Sequence, residues 1–454
     1  MIRLTDRGHV YALFAIVVLA TALGSLTQTV MNSMLGGVEA DFGVDAAVGQ
    51  WLTTAYMLVL GVTVPAVTWL AQRLPMRRLV FLALGIFVAG AVVSGAAPSF
   101  GVLLAGRVLQ AVAAGITLPV LQSIAMTRFP PGQNATAMGI AGIAMGFAPN
   151  IGPLIGGALV DSLGWRSFYA ILLGILATLV LATALTVPRG EAPTRDARLD
   201  ARSLLLSTLG FGGLLLGFSE ASTLGLSHPL VWAAVAVGAA CLGLFVRRQR
   251  RVDDPLIDLR IFESRRFRAS FAAQNLLFAS FMGITLIVPL FVVGLQGGTA
   301  LEAGIVFIPA TIMALVCNPL AGFLADRVGV RPVTVVSAVL LAAGSVAMAF
   351  MDEATPLWAM TLMQTVRGLG VSSLIGPYAS WGLSKLPRAI VMDGSAFFAT
   401  ARQACASLGT AAMVLLITTA GSLGAAPALG YQLAFGLSAA LAVAVLAVTL
   451  AKVR

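Results

Sequence analysis

A chain of 454 residues that is 59% hydrophobic and only 10% charged, with mean hydropathy +0.97, carries too much apolar surface to hide in soluble domains. Its repeated runs of ~20 apolar residues each match the ~30 Å hydrocarbon core of a bilayer, and short alternating segments of the kind that build membrane barrels are absent. The chain therefore reads as an all-α polytopic membrane protein, and its net charge of +10 needs a reason other than nucleic acid.

Fourteen apolar spans are predicted, at 10–35, 47–71, 78–97, 100–127, 134–160, 166–187, 203–221, 229–246, 269–294, 301–325, 332–351, 356–381, 390–420 and 427–450. The first is long and carries no small-residue cleavage site, so it reads as an uncleaved span. With the N-terminus in the cytoplasm, all but four of the 28 lysines and arginines fall on the inner side. The exceptions are Arg107, Arg367 and Arg402 within spans and Arg166 outside. This positive-inside bias accounts for the basic charge, and an even number of spans puts both termini in the cytoplasm. The expected location is a cell (inner) membrane. Cys241, Cys317 and Cys405 lie in apolar segments and read as small buried side chains rather than a disulfide framework.

The chain repeats itself. TWLAQRLPMRR (68–78) follows the second span and GFLADRVGVRP (322–332) follows the tenth. Arg73 precedes Arg107 by 34 residues, and Arg327 precedes Arg367 by 40. Two six-span halves are implied, 1–187 and 268–454, joined by a piece at 188–267 that holds two extra spans and a charged segment. Internal repeats of this kind mark many secondary carriers, with the substrate site between the halves.

Several residues stand out along the way. Arg107 lies in an otherwise uncharged span, where a cation costs at least ~2.5–3.5 kcal/mol unless it faces a partner or a wet cavity. The fifth span is crowded with Gly142, Gly146, Gly152, Gly156 and Gly157. These allow close helix approach, while Pro149 and Pro153 remove backbone bonds and permit a bend. In the ninth span Gln274, Phe278, Phe281 and Met282 share one helical face, as Thr27, Met31 and Met34 do in the first, beside Asn32. Methionine and phenylalanine make soft surfaces suited to varied apolar ligands, although such stripes also serve ordinary packing. Glu220, Asp393 and Arg402 are further ionisable groups in or near spans. His9 and His228 sit near span ends, and no metal-ligand spacing, GxSxG or Walker pattern occurs. No metal, cofactor or enzyme is called for.

These motifs resemble the major facilitator superfamily, and most of all its fourteen-span drug:proton antiporter branch (the EmrB/QacA type). The family's loop pattern Gly-x-Leu-Ala-Asp-Arg-x-Gly-Arg-Lys is matched at Gly322, Leu324, Ala325, Asp326, Arg327, Gly329 and Arg331. The first-half copy is degenerate: Thr68 stands for the glycine, Gln72 for the aspartate and Pro75 for the second glycine, while Arg73, Arg77 and Arg78 remain. Such loops place a carboxylate and arginines at facing helix ends, where they either latch a gate or merely signal topology. Arg107, Gln110, Ala114 and Gly115 match the fourth-span motif loosely. The resemblance implies proton coupling there; structural hydrogen bonds to facing carbonyls are the alternative. Gly146, Pro149, Gly152, Pro153, Gly156 and Gly157 match the antiporter motif, which implies export by exchange. The first span matches the branch at Leu26, Thr29, Val30, Asn32 and Leu35, but its aspartate is Thr27 here and cannot ionise. That moves any proton carrier elsewhere, with Glu220, Asp393 and Arg402, beside Arg107, as the residues expected to serve proton coupling.

The resemblance thus implies a major facilitator fold and a monomer that exports amphiphilic compounds or drugs in exchange for protons by alternating access. A dedicated metabolite or lipid carrier with different coupling is the second reading.

Overall fold

The computed structural model describes residues 4–453 apart from 131, 149–150, 153–154, 157–158, 160–162, 189–199, 224, 226–227, 253–254, 423 and 425. The main helices are α1 (Leu4–Phe42), α2 (Trp51–Arg73), α3 (Met76–Gly95), α4 (Phe100–Thr127) and α5 (Asn134–Gly142, widening into a π-turn over Ile143–Phe147). Then come α6 (Arg166–Thr186), α7 (Ala201–Thr223), α8 (Pro229–Gln249), α9 (Arg265–Pro289) and α10 (Ile308–Val328). The last are α11 (Val330–Met348), α12 (Leu357–Leu383), α13 (Val391–Ser422) and α14 (Pro427–Lys452). Twelve of the described helices are long and apolar enough to cross a membrane. The shorter α5 and the arginine-bearing α12 complete the fourteen. Helices suit this setting because each satisfies its own backbone polar groups inside lipid.

Boundaries follow local chemistry. α1 begins at Leu4, earlier than the hydropathy edge near residue 10. The predicted span at 301–325 is two helices: a short one at Ala300–Ile305, then α10. Thr299 and Glu302 form a capping box at the first, so Glu302 serves as a half-buried cap. Gly329 joins α10 to α11 at φ +92°, a conformation that disfavours any side chain.

The packing repeats between halves. α1 packs on α4 and α6, and α3 on α4 and α6; in the same pattern α9 packs on α12 and α14, and α11 on α12 and α14. The halves meet symmetrically too. α5 lies on α10 and α12, while α13 lies on α2 and α4. The hairpin of α7 and α8 sits outside, with α7 touching both α2 and α13.

Most of the basic loops lie on one side, called here the basic side. There His9 Nδ1 of α1 is 2.6 Å from the Thr186 carbonyl of α6, and Arg77 of α3 donates to Ala184 at 3.0 Å. On the opposite side Asp41 accepts from Trp165 at 2.9 Å and pairs with Arg166 at 2.6 Å.

The segment after α8 is strapped under the basic side. Arg248 holds Asp200 through two bonds of 2.8 and 3.0 Å, which keeps the Asp200 carboxyl down at about 2. Gln249 donates to Ser203 and accepts from the Ile257 amide. The Thr68 hydroxyl of α2 donates to the Leu256 carbonyl at 2.6 Å. Leu256, Ile257 and Ile261 are buried in one apolar cluster with Phe267, Leu383 and Phe398, against Trp69 and Met126. Thr68, where the loop pattern has glycine, thereby fastens this strap to the first half.

Candidate functional site

Arg107 is fully buried among α1, α2 and α4. Its guanidinium donates to the Thr27 carbonyl at 2.9 Å, to Gln110 at 3.1 Å and to the Leu52 carbonyl at 3.4 Å. It lies 4.4 Å above the Tyr56 ring, and Tyr56 in turn donates to the Gly24 carbonyl. Hydrogen bonds to a charged group contribute ~1.5–3 kcal/mol each, so a few of them offset the cost of the buried cation. Arg367 of α12 takes the same position in the second half. It is fully buried and donates at 2.8 Å to the Ser280 carbonyl of α9, the helix equivalent to α1. Its Nε and Nη1 have no partner among the described residues.

The latch is built differently from a carboxylate facing arginines. Asp326, at the end of α10, accepts from the Ala135 amide at 3.1 Å, the Thr136 amide at 2.7 Å and the Thr136 hydroxyl at 2.6 Å. It caps α5 from the other half. The first amides of a helix are unspent donors at the positive end of its dipole, which makes them a natural partner for a carboxylate. The arginines of the loops lie alongside: Arg327 covers Phe323 at 4.6 Å, Arg73 covers Trp69 at 5.2 Å, and Arg331 is exposed. Gln72 is half-buried in the last turn of α2.

Behind the latch runs a seam of glycine on backbone. A Cβ on Gly322 would fall 2.2 Å from the Ala135 carbonyl, one on Gly139 2.4 Å from the Asn318 carbonyl, and one on Gly376 2.8 Å from Gly139. Farther along the chain, Gly152 and Gly156 press on α1, where a Cβ would fall 2.1 Å from Thr29 and 2.7 Å from the Val30 carbonyl. Pro149, Pro153 and Gly157 lie outside the described residues.

Beyond the seam, away from the basic side, a small cleft lies between α5, α9, α10 and α12. Phe281, Phe307, Ala310, Val371 and Ile375 give it apolar walls, and Gly146 forms the wall on the α5 side, within the π-turn. Such turns recur at functional positions. Thr311, Gln364 and Ser372 supply polar groups. Ser372 spends its hydroxyl on the Gly368 carbonyl, whereas the buried Gln364 amide oxygen has no partner among the described residues. Arg402 of α13 is half-buried and sits 4.6 Å over the Phe278 ring, which meets Phe281 edge-on at 6.1 Å.

The structure thus brings Phe281 to the cavity wall, with Phe278 and Arg402 behind it. Gln274 is buried one turn along α9 with its amide nitrogen unpartnered, and Met282 is half-buried. The first-span candidates lie elsewhere. Thr27 and Met31 are fully buried, Met31 in the packed core of the first half, and the Thr27 hydroxyl turns back to the Leu23 carbonyl. Asn32 is exposed and accepts from Thr53. Asp393 is buried near the basic end of α13. The side chain of Glu220 lies outside the described set. Thr311, Gln364 and Ser372 were not anticipated, although Gln364, three residues before Arg367, is a polar side chain in an apolar span.

Residues 17–410 match the profile of the Major Facilitator Superfamily. The chain is 35% identical over 394 residues to the uncharacterized MFS-type transporter YcnB of Bacillus subtilis, covering 87% of this chain and 83% of that one. It is 32% identical to the lincomycin resistance protein LmrB of Bacillus subtilis, over 88% of this chain and 84% of LmrB. The solved proton:xylose symporter XylE superposes with a TM-score of 0.66 over 97% of this chain and 94% of its own, at 13% identity, which speaks to the fold alone. Repeat packing, paired buried arginines, a loop motif at the joint between halves and these matches agree: the chain is a membrane transporter of the major facilitator superfamily.

Proposed function

We propose that the chain exports amphiphilic compounds in exchange for protons, by alternating access of the halves 1–187 and 268–454. The observation that carries this reading is the asymmetry of the contact between halves. Asp326 and the Gly139–Gly322 seam close the basic side, while the cavity bounded by Gly146, Phe281 and Gln364 lies beyond them. A cleft between the halves that is sealed on one side is one limb of an alternating cycle. The basic side is taken as cytoplasmic from the positive-inside bias, so the conformation is an outward-facing one. The drug-resistance name of LmrB supports export of foreign amphiphiles.

Arg107 and Arg367 act in this scheme as braces that fix α1 to α4 and α9 to α12, so that each half moves as a unit. Asp393 and Glu220 are the acids assigned here to carry protons. Neither Thr27 nor Met31 touches the substrate; Phe278, Phe281, Gln364 and Arg402 do. The experiment is transport by the full-length chain in proteoliposomes under an imposed pH gradient. Movement of a fluorescent amphiphile against its gradient, abolished by a protonophore, is the expected result. Transport of the same size with and without the gradient overturns proton exchange.

A further inference from the structure

We propose that the compounds carried are anionic amphiphiles, held through a carboxylate or phosphate head group at Arg402. This rests on the export reading above and names the substrate class of that same site.

The argument starts from charge. A guanidinium is always ionised, and at membrane depth it is retained only with a partner or with work to do. The other two arginines within spans have carbonyl partners: Arg107 at Thr27, and Arg367 at Ser280. Arg402 has no hydrogen bond or ion pair to any described residue. Its contact is the Phe278 ring at 4.6 Å, which stacks on the cation without neutralising it. It is also half-buried where the other two are fully buried, so part of its surface stays open. The nearest acid along α13 is Asp393, nine residues and so about 14 Å away along the helix axis at 1.5 Å per residue, and Asp393 has an interaction of its own.

The surroundings complete the fit. Phe278 leads to Phe281 and thence to the apolar walls at Val371 and Ile375, which suit a hydrocarbon body. The Gln364 amide, buried in that wall, makes no hydrogen bond to a described residue and is free to engage a second polar group. No described cavity residue is acidic, so a cationic drug meets a like charge here with no counter-charge.

The test uses the full-length chain in lipid nanodiscs, titrated calorimetrically with octanoate, octyl phosphate, octyltrimethylammonium and octanol, with empty nanodiscs subtracted. The two anions are expected to bind about tenfold or more tighter than octanol and octyltrimethylammonium, the ratio that one charge-assisted hydrogen bond supplies. R402Q is expected to erase that preference, with R402K keeping part of it; the wild-type ratio needs no variant to be informative. Equal or tighter binding of the cation, or an unchanged preference in well-folded R402Q, overturns the anionic class while leaving amphiphile export standing. If no octyl compound binds, the amphiphile reading itself fails, and the anionic class with it.

Discussion

Asp326 holds Thr136 twice, through its amide at 2.7 Å and its hydroxyl at 2.6 Å, across the joint between the two halves of the molecule. The bond is a helix cap supplied in trans. Its strength comes from the carboxylate charge and from amides that α5 cannot satisfy itself. Asp326→Ala removes three acceptor contacts at once. Hydrogen exchange of a peptide covering 133–140 is expected to quicken about tenfold or more, since each charge-assisted bond contributes ~1.5–3 kcal/mol. Transport should fall in step. Unchanged exchange in that peptide would mean the cap does not hold the closed form.

The seam behind the cap makes a sharper test, because it depends on the absence of atoms. Gly322→Ala places a methyl 2.2 Å from the Ala135 carbonyl, and backbone cannot step aside as a flexible side chain can. Cysteine-labelling from the basic side is expected to rise and transport to drop by at least about tenfold, the size of a ~1.4 kcal/mol bias against closure. Gly304→Ala, with nothing within 4 Å of the added carbon, is the control expected to behave as wild type.

Arg107→Ala leaves the Thr27 and Leu52 carbonyls facing a void at the meeting of three helices. Loss of transport is expected, together with a lowered thermal midpoint. Arg107→Lys is not expected to rescue either, because an ammonium lacks the planar fork that reaches several acceptors at once. Full activity in Arg107→Lys would point to charge alone as the requirement.

The strap gives a pH-dependent prediction. The Asp200 carboxyl is depressed to about 2, first by its bond to Arg248 and then by those to Ser203. A group with a depressed folded pKa stabilises the fold above its unfolded value, ~3.9, and that stabilisation is lost as pH falls toward the folded value. Asp200→Asn should therefore lower the midpoint at pH 7 and at pH 5 by the same amount. The gap to wild type should close between about pH 4 and pH 2. A gap that instead changes between pH 5 and pH 7 would assign the effect to another group.

Much of this was legible in the residues. The loop motif located Asp326, and the cost of a buried cation singled out Arg107. Apart from Gln110 and the Thr136 hydroxyl, their partners were out of reach of sequence, because they are main-chain groups: two amides of α5 and the carbonyls of Thr27 and Leu52. A backbone group leaves no letter to read. The face shared by Thr27, Met31 and Met34 was real as a periodicity. It could not say which of several neighbours it met, and in a bundle most faces of a first helix are buried against others. Phe281 reached the cavity because α9 borders it, and Phe278 stands behind it. Thr311 and Ser372 were overlooked because isolated hydroxyls in spans usually bond back to their own helix, as Ser372 does.

The glycine seam also bears on speed. Where Gly139 meets Gly322 and Gly376, backbone touches backbone and no side chain has to choose a rotamer on contact. Parting and re-seating the halves there therefore forfeits almost no side-chain entropy, a term that reaches ~1.5–2 kcal/mol for each long side chain immobilised elsewhere. A joint of this kind can be held firmly by one capped helix and still be opened at every turnover, because the surface it exposes has nothing to rearrange before it closes again.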